Sequence, residues 1–379
     1  MITPLQDSLD HRFMARALEL ARHGLYSTHP NPRVGCVITQ GEQVVGEGWH
    51  VRAGEPHAEV HALRQAGEAA LGATAYVTLE PCSHHGRTPP CADALLAAGV
   101  SRVVAAMQDP NPQVSGQGLA RLAAAGVVVR SGVLEGEARA LNPGFIKRME
   151  CGLPFVRVKL AMSLDGRTAM ASGESQWITG PQARREVQRL RARSSVVLSG
   201  ADTLLADDAR LTVRPEELGL GEAEAALAAS RQPLRVLVDG RLRVPLDAPF
   251  FKAGPTLVVC ATPPVDPQAY TAMGAEILCA PGHNGRCDLV ELLRSLAQRG
   301  VNEVLVEAGP SLAGAFAQAG LVDEYRLFMA GTFLGSSARP LLDWPLARMA
   351  EAPRLKITRL RAVGDDWQVI AVPALARPV

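Results

Sequence analysis

"ATAYVTLEPCSHHGRTPPCADALLAAG", residues 73–99, decides how the first half of this chain folds. Residues 73–82 read as a buried strand, and residues 91–99 as a short helix closed by Gly99. Between them lies a turn-rich loop holding two histidines and two prolines. Cys82 therefore stands where a strand ends and Cys91 where a helix begins. Two cysteines in a long protein are commonly core thiols, so the pair alone leaves metal binding and plain burial both open.

Working outward, helices and strands alternate. "RFMARALELARHGL" (12–25) has the period of an amphipathic helix that stops near Gly24. "VGCVITQGEQVVGEGWH" (34–50) reads as two extended runs joined at Gly41–Glu42, a hairpin. "PHAEVHALRQAGEAAL" (56–71) is helical, with its proline where a missing N–H costs nothing. Downstream, "SRVVAAM" (101–107) and "VVVRSGV" (127–133) are strands flanking the helical "GLARLAAAG" (118–126). This is an α/β layer pattern, in which reactive groups gather where strands end and helices begin. His57 and Cys91 both sit at such junctions.

The length of 379 residues exceeds one ordinary core, so two domains are expected. "RMECGLPFV" (148–156) has the glycine and proline of a linker, after which the pattern restarts, giving domains 1–150 and 151–379. With 47% hydrophobic and 20% charged residues the chain is globular, not disordered. A net charge of +1 offers no footprint for nucleic acid and favours a small-molecule partner. No apolar run reaches the roughly 18 residues of a membrane helix, and "MITPLQDSLDHR" lacks the regions of a signal peptide, so a cytoplasmic protein is expected. Seven cysteines, an odd number thinly spread, argue against a disulfide framework. Exposed sheet edges in such domains often pair, and a homo-oligomer is expected.

In "HAE" the histidine and glutamate lie two apart at a helix start, so His57 can ligate a metal while Glu59 reaches over the ligand completing the site. One imidazole and two thiolates give zinc three protein ligands and keep a position for water, a catalytic arrangement. Zinc lowers the pKa of water from about 15.7 toward about 7 and so supplies hydroxide, whose proton Glu59 would take and pass to a departing amine. His61, four after His57, is an alternative partner, but Glu59 is not where an H-E-x-x-H site places it. His50, His84 and His85 are further candidates as ligands or substrate contacts. Asn31, between two prolines, is either a turn residue or an amide presented to a pyrimidine edge.

His57-Ala58-Glu59 followed by Pro81-Cys82 resembles the zinc-dependent nucleobase deaminases, whose signature is H-x-E and then P-C-x-x-C. The sequence departs from it in placing eight residues between Cys82 and Cys91. That longer "PCSHHGRTPPC", with "HPNPRVGCVI" (29–38) and "GEGWHVRAGEPHAEVHAL" (46–63), resembles the deaminase half of the bifunctional riboflavin-biosynthesis deaminase/reductases. The resemblance implies a cytidine-deaminase-like three-layer domain with zinc on His57, Cys82 and Cys91, Glu59 as proton carrier, and Asn31 and His50 in the substrate pocket.

The second half reads as α/β again. "FVRVKLAMSLDGRTA" (155–169) is a strand running into an Asp-Gly turn, and "SSVVLSGADTLLADDARLTVRP" (194–215) a strand, a loop and a polar turn. "LRVLVDG" (234–240) and "PTLVVCA" (255–261) are buried strands, with "GEAEAALAASRQP" (221–233) an insertion before them. In "VNEVLVEAGPSLAGAFAQAG" (301–320) a strand ends at Glu307 and a helix begins near Ser311. Backbone N–H groups at such a start can hold a phosphate, a feature many α/β proteins share. Lys159, Arg191 and Arg214 either neutralise a sugar phosphate or lie on a solvated face.

"VKLAMSLDGRTA", "SGESQWITG" (172–180), "GADTLLADDARLTVR" (200–214) and "VEAGPSLAGAF" (306–316) are similar to the reductase half of the same family. This implies a dihydrofolate-reductase-like domain using NADPH. Ala161, Trp177, Thr203, Asp207 and the turn Gly309, Pro310, Ser311, Leu312, Ala313, Gly314 and Ala315 would contact the coenzyme. Lys159, Ser175, Arg191, Leu211, Arg214 and Glu307 would surround a phosphorylated pyrimidine, the arginines toward its phosphate. The implied activity is deamination of 2,5-diamino-6-(5-phosphoribosylamino)pyrimidin-4-one followed by reduction of its ribosyl side chain. A deaminase of nucleosides or tRNA with an unrelated second domain, and a structural zinc module, are the rivals.

Overall fold

The computed structural model describes residues 3–83, 90–112 and 114–374, and the chain divides into two compact units, Met1–Gly152 and Leu153–Val379. In the first, the elements run α1 (Pro4–Arg22), β1 (Gly35–Gln40), β2 (Gln43–Trp49), α2 (Ala58–Ala66), β3 (Thr74–Val77), α3 (Cys91–Ala97), β4 (Arg102–Ala105), α4 (Gln117–Ala124), β5 (Val128–Ser131), α5 (Glu135–Leu141) and α6 (Pro143–Cys151). The sheet order is β2-β1-β3-β4-β5, with β1 antiparallel to both neighbours and β3, β4 and β5 parallel.

Alternation along the strands makes this a three-layer unit. Cys36, Ile38, Ala75, Val77 and Val103 pack with Ala58, Ala62, Ala92, Leu95 and Leu122 of α2, α3 and α4. Val37, Tyr76 and Val104 face the other way, onto Phe13, Met14 and Ala17 of α1 and Phe145 and Ile146 of α6. Glycines let α2 approach β2 closely: a Cβ would stand 2.2 Å from the Ala62 carbonyl oxygen at Gly46 and 2.4 Å from that of Ala58 at Gly48.

The second unit contains β6 (Phe155–Ser163), β7 (Arg167–Ala169), α7 (Pro181–Arg193), β8 (Val196–Gly200), α8 (Ala201–Asp207), α9 (Glu222–Ala229), β9 (Leu234–Val238), β10 (Thr256–Cys260), α10 (Pro267–Ala272), β11 (Ala275–Cys279), α11 (Leu289–Gln298), β12 (Glu303–Glu307), α12 (Pro310–Gln318), β13 (Glu324–Ala330), β14 (Arg339–Pro340), β15 (Leu355–Val363) and β16 (Asp366–Pro373). Its nine-stranded sheet has the order β11-β10-β9-β8-β12-β6-β13-β16-β15, parallel from β11 to β13 and antiparallel beyond. Its central strands are apolar runs because both faces are covered. Val196, Leu198, Val304 and Val306 meet α11 and α12, while Val197 and Leu305 meet α7 and α8.

Four segments differ from the sequence expectation. Helix α1 begins at Pro4 rather than near Arg12, because Thr3 caps it by accepting from the Gln6 N–H at 3.2 Å. Residues 148–151, taken for linker, are the last turn of α6, which Gly152 closes at φ 68°. The loop expected after β8 is helix α8, and the insertion holds helix α9, whose Ala225 and Ala228 are buried.

Each unit carries a buried charge cluster. In the first, Asp10 accepts from Arg102 twice at 2.7 Å, from Arg130 at 2.6 Å and from Tyr76 at 3.2 Å. Burial pushes its carboxyl up, but hydrogen bonds from Arg102, Gln6 and Arg130 outweigh this and hold it at about 2. In the second, Arg157 on β6 is only 2% exposed and bonds to Glu303 on β12 and, at 2.7 Å, Glu324 on β13.

Candidate active sites

The first site forms at the carboxyl end of β3. His57 caps the start of α2, Cys82 follows β3, and Cys91 opens α3 behind Pro90. Nδ1 of His57 and the two Sγ atoms all lie within 4.8 Å of one another. The His57 Nδ1 is 3.2 Å from Cys91 Sγ and 3.7 Å from Cys82 Sγ, and the Cys91 N–H donates to Cys82 Sγ at 3.3 Å. Hydrogen bonds from Cys91 and His57 lower the Cys82 thiol below its ordinary value, whereas contact with Cys82 and burial push Cys91 up. One thiolate is thus already favoured. Three convergent donors, one imidazole and two sulfurs, fit a zinc ion with one position left open.

Glu59, the second residue of α2, is 3% exposed, and its Oε2 has no hydrogen-bond partner. Burial raises its pKa above the carboxylate range, as does the Cys82 charge, against the lowering effect of His57. His50 and Asn31 join at 3.0 Å beside the triad, with the His50 ring 5.3 Å from that of His57. The His50 Nδ1 lies 3.2 Å from the Pro56 carbonyl, which only accepts, so Nδ1 carries the proton and Nε2 accepts from Asn31. His61 is not among the converging donors, and its Nε2 has no partner. His84 and His85 lie outside the described residues.

Sequence reasoning missed Glu80, two residues before Cys82. It is 3% exposed and accepts backbone N–H groups from Asp109 at 3.0 Å, Gly116 at 2.9 Å, Gly118 at 2.8 Å and Leu119 at 3.2 Å. Gly118 also backs onto the Pro81 carbonyl, 1.9 Å from where a Cβ would sit. The available signal was a carboxylate inside the apolar run "YVTLEPC" with the glycine-rich "VSGQG" (114–118) downstream.

The second site lies at the carboxyl ends of β6, β8 and β12. Glu307 takes a bidentate pair from Arg191, Nε to Oε1 at 2.6 Å and Nη2 to Oε2 at 2.9 Å. Arg191 also donates to the Thr212 carbonyl at 3.1 Å. Burial would raise the Glu307 carboxyl, but Arg191, Lys159 and Arg214 hold it below its ordinary value. Lys159 is in register with Glu307 across β6 and β12. Burial lowers its pKa while Glu307 opposes that shift. Ser175 donates to Asp207 at 3.3 Å, and the Gly309 N–H donates to Thr203 at 3.1 Å.

The remaining expected residues are less convergent. Exposed Arg214 pairs with half-buried Glu217 at 2.8 Å, Leu211 is buried at φ 57°, and Ala161 is on β6. Trp177 is 69% exposed, with the Arg184 guanidinium 4.6 Å from its ring centre. Gly309 caps α12, and Pro310, Ser311, Leu312 and Ala315 follow in its first turns. Ala313 is buried in the core and Gly314 lies against the Asp343 backbone, so neither offers a side chain to a ligand.

Residues 7–107 match the cytidine and deoxycytidylate deaminase zinc-binding region, and residues 154–369 the RibD C-terminal domain. The chain is 55% identical to the riboflavin biosynthesis protein RibD of Escherichia coli, over 94% of this chain and 97% of that protein. It is 49% identical to the Haemophilus influenzae RibD, over 97% and 98% of the two. Among solved structures, Acinetobacter baumannii RibD superimposes with a TM-score of 0.90 at 46% identity, covering 97% of this chain and 100% of that one. The diaminohydroxyphosphoribosylaminopyrimidine deaminase/5-amino-6-(5-phosphoribosylamino)uracil reductase of Thermotoga maritima follows at 0.84 and 33%, covering 97% and 99%. The chain belongs to the RibD family, the bifunctional enzymes of riboflavin biosynthesis that join a zinc-binding deaminase to a reductase.

Proposed function

We propose that residues 1–150 deaminate the diaminopyrimidine ribosylamine phosphate at a zinc held by His57, Cys82 and Cys91, and that residues 151–379 then reduce its ribosyl chain with NADPH. Zinc supplies Lewis acidity that makes water a nucleophile near neutral pH. Glu59 moves the protons. The observation that carries this is its buried Oε2, unpartnered beside three converging donors. That atom takes a proton from water and returns it to the departing amine, while Asn31 and His50 hold the pyrimidine.

In the second unit, Lys159 and Arg214 bind the substrate phosphate. Arg191 shares this task and keeps Glu307 ionised. Ser175 and Leu211 shape the substrate side of the cleft, and Ala161, Trp177, Thr203, Asp207 and the start of α12 bind the coenzyme. Neither neutral charge nor the cleft chemistry calls for nucleic acid. No helix among the described residues is long and apolar enough to cross a membrane, and we place the enzyme in the cytoplasm, where thiols such as Cys82 and Cys91 stay reduced. A second copy joins through the outer edge of β15, where Leu355, Ile357 and Leu360 are exposed.

The test is one assay with purified protein and the diaminopyrimidine ribosylamine phosphate, following ammonia and NADPH absorbance together. Ammonia without coenzyme, then NADPH oxidation matched to it, is the expected result. Ammonia with no NADPH consumed overturns the coenzyme assignment, and no ammonia from zinc-loaded protein overturns the roles given to the first site.

A further inference from the structure

Cys82 stands outside regular structure. Strand β3 ends at Val77, five residues earlier, and the next helix opens at Cys91. Cys91 is fixed by its own helix, because Ala92 and Leu95 of α3 are buried in the core. Cys82 has no helix or ladder of its own, yet the backbone groups of a buried segment still need partners. The Glu80 N–H donates to the Met107 carbonyl at 3.0 Å, and the Cys82 carbonyl accepts from Ala92 at 3.1 Å. The rest of the support comes from α4 and the segment leading into it.

The three residues around Cys82 meet that helix in turn. Glu80 Oε1 accepts from Gly118 at 2.8 Å and Leu119 at 3.2 Å, donors in the first turn of α4 that have no partner one turn back in the helix. Gly116, just before the helix, has no side chain with which to cap it, so the Glu80 carboxylate takes that role from another part of the chain. Its Oε2 accepts from Gly116 at 2.9 Å and Asp109 at 3.0 Å. The Pro81 carbonyl rests on Gly118, where a Cβ would stand 1.9 Å away. The Ser83 carbonyl accepts from Arg121 at 3.5 Å, and Arg121 also pairs at 2.7 Å with Asp93 of α3, two residues after Cys91. Cys82 alone turns its side chain the other way, to His57 and Cys91.

We propose that Glu80 is a positioning residue of the first site: closed on four N–H groups, its carboxylate holds the Cys82 thiol within reach of His57 and Cys91 before any metal arrives, so that α4, which supplies no donor, sets the affinity for zinc. The inference rests on the metal reading above and deepens it. None of the four bonds goes to a donor atom, so Glu80 acts through the peptide. A carboxylate is required because it accepts through both oxygens and donates nothing. Glutamine has the same shape but turns an NH2 group onto two N–H donors. Groups that orient metal ligands typically contribute about 10–100-fold to affinity.

The experiment measures zinc affinity of the full-length apoprotein by competition with a chromophoric chelator, for the wild type, Glu80→Gln and Glu80→Asp. Cys91→Ala is the blank for zinc held elsewhere, and circular dichroism and the Tm of each apoprotein report folding. The expected result is a zinc Kd about 10–100-fold higher in Glu80→Gln and a smaller rise in Glu80→Asp, which keeps the charge and withdraws it by one methylene. A loss of stability alone leaves the affinity of the folded apoprotein unchanged. A lower Tm with wild-type zinc affinity therefore overturns the proposal and leaves Glu80 a purely structural residue. Should Glu80→Gln not fold, Glu80→Asp is decisive in the same way. Equal zinc binding by the wild type and Cys91→Ala overturns the metal reading itself.

Discussion

The two sites differ in what their side chains do before any ligand arrives. At the first, Glu59 keeps an unpartnered buried oxygen, and two thiols crowd one imidazole. At the second, charge is already answered: Arg191 locks onto Glu307, Ser175 onto Asp207, and Thr203 onto Gly309. The first is an incomplete polar cluster with the donor set of a cation site. The second is self-compensated, and a ligand has to exchange with internal partners. Buried polar groups left unpaired are costly, so where a fold retains one, chemistry is the first place to look.

The strongest way to break this contrast is metal removal. Chelation, or Cys91→Ala, abolishes ammonia release while the reductase still consumes NADPH when given the deaminated intermediate directly. Loss of both activities would show that the second unit also depends on the cation. Next, Glu59→Gln retains zinc, measured by elemental analysis, and lowers the deamination kcat by about 10²–10⁴-fold, the usual share of a general acid/base. Near-normal turnover would remove Glu59 from proton transfer and leave its orphan oxygen unexplained.

Smaller effects test the self-compensated side. Glu307→Ala leaves the buried Arg191 guanidinium without its anion and costs the second unit about 3–5 kcal/mol, read as a fall in its calorimetric Tm. An unchanged Tm would mean that the Thr212 carbonyl suffices for Arg191. Smallest is Asp10, which shows what a satisfied buried charge does in the first unit. Its folded pKa, about 2 against an ordinary 3.8, contributes stability that is present above about pH 4 and lost as pH falls through about 2. Asp10→Asn removes about 2 kcal/mol near neutral pH and flattens the acid limb of the unfolding curve in that window. A variant with the wild-type pH dependence would take Asp10 out of the account.

The same contrast explains what could be read from the sequence. His57, Glu59, Cys82 and Cys91 were legible because each stands at a strand end or helix start marked by Pro56, Pro81 or Pro90, and their residue types admit few other readings together. The second site is spread over β6, α7, α8, the loop to Arg214 and β12, and only the family likeness joined its parts. Helix α7 was not read at all. Its apolar stripe is only Ala183, Val187 and Leu190 among five arginines. Helix α8, seven residues long, is too short to show a period. Strand β15 is exposed over most of its length, so it lacks the alternation of a half-buried strand. Glu80 stayed hidden for another reason: all four of its partners are backbone N–H groups, which any sequence supplies.

That carboxylate sets a rule about chain length. Because Glu80 gathers N–H groups from positions 109, 116, 118 and 119 at once, a residue inserted between 109 and 116 would push one end of the segment off its acceptor and disturb the peptide leading to Cys82. A segment that supplies none of the three converging donors is thereby held to a fixed count.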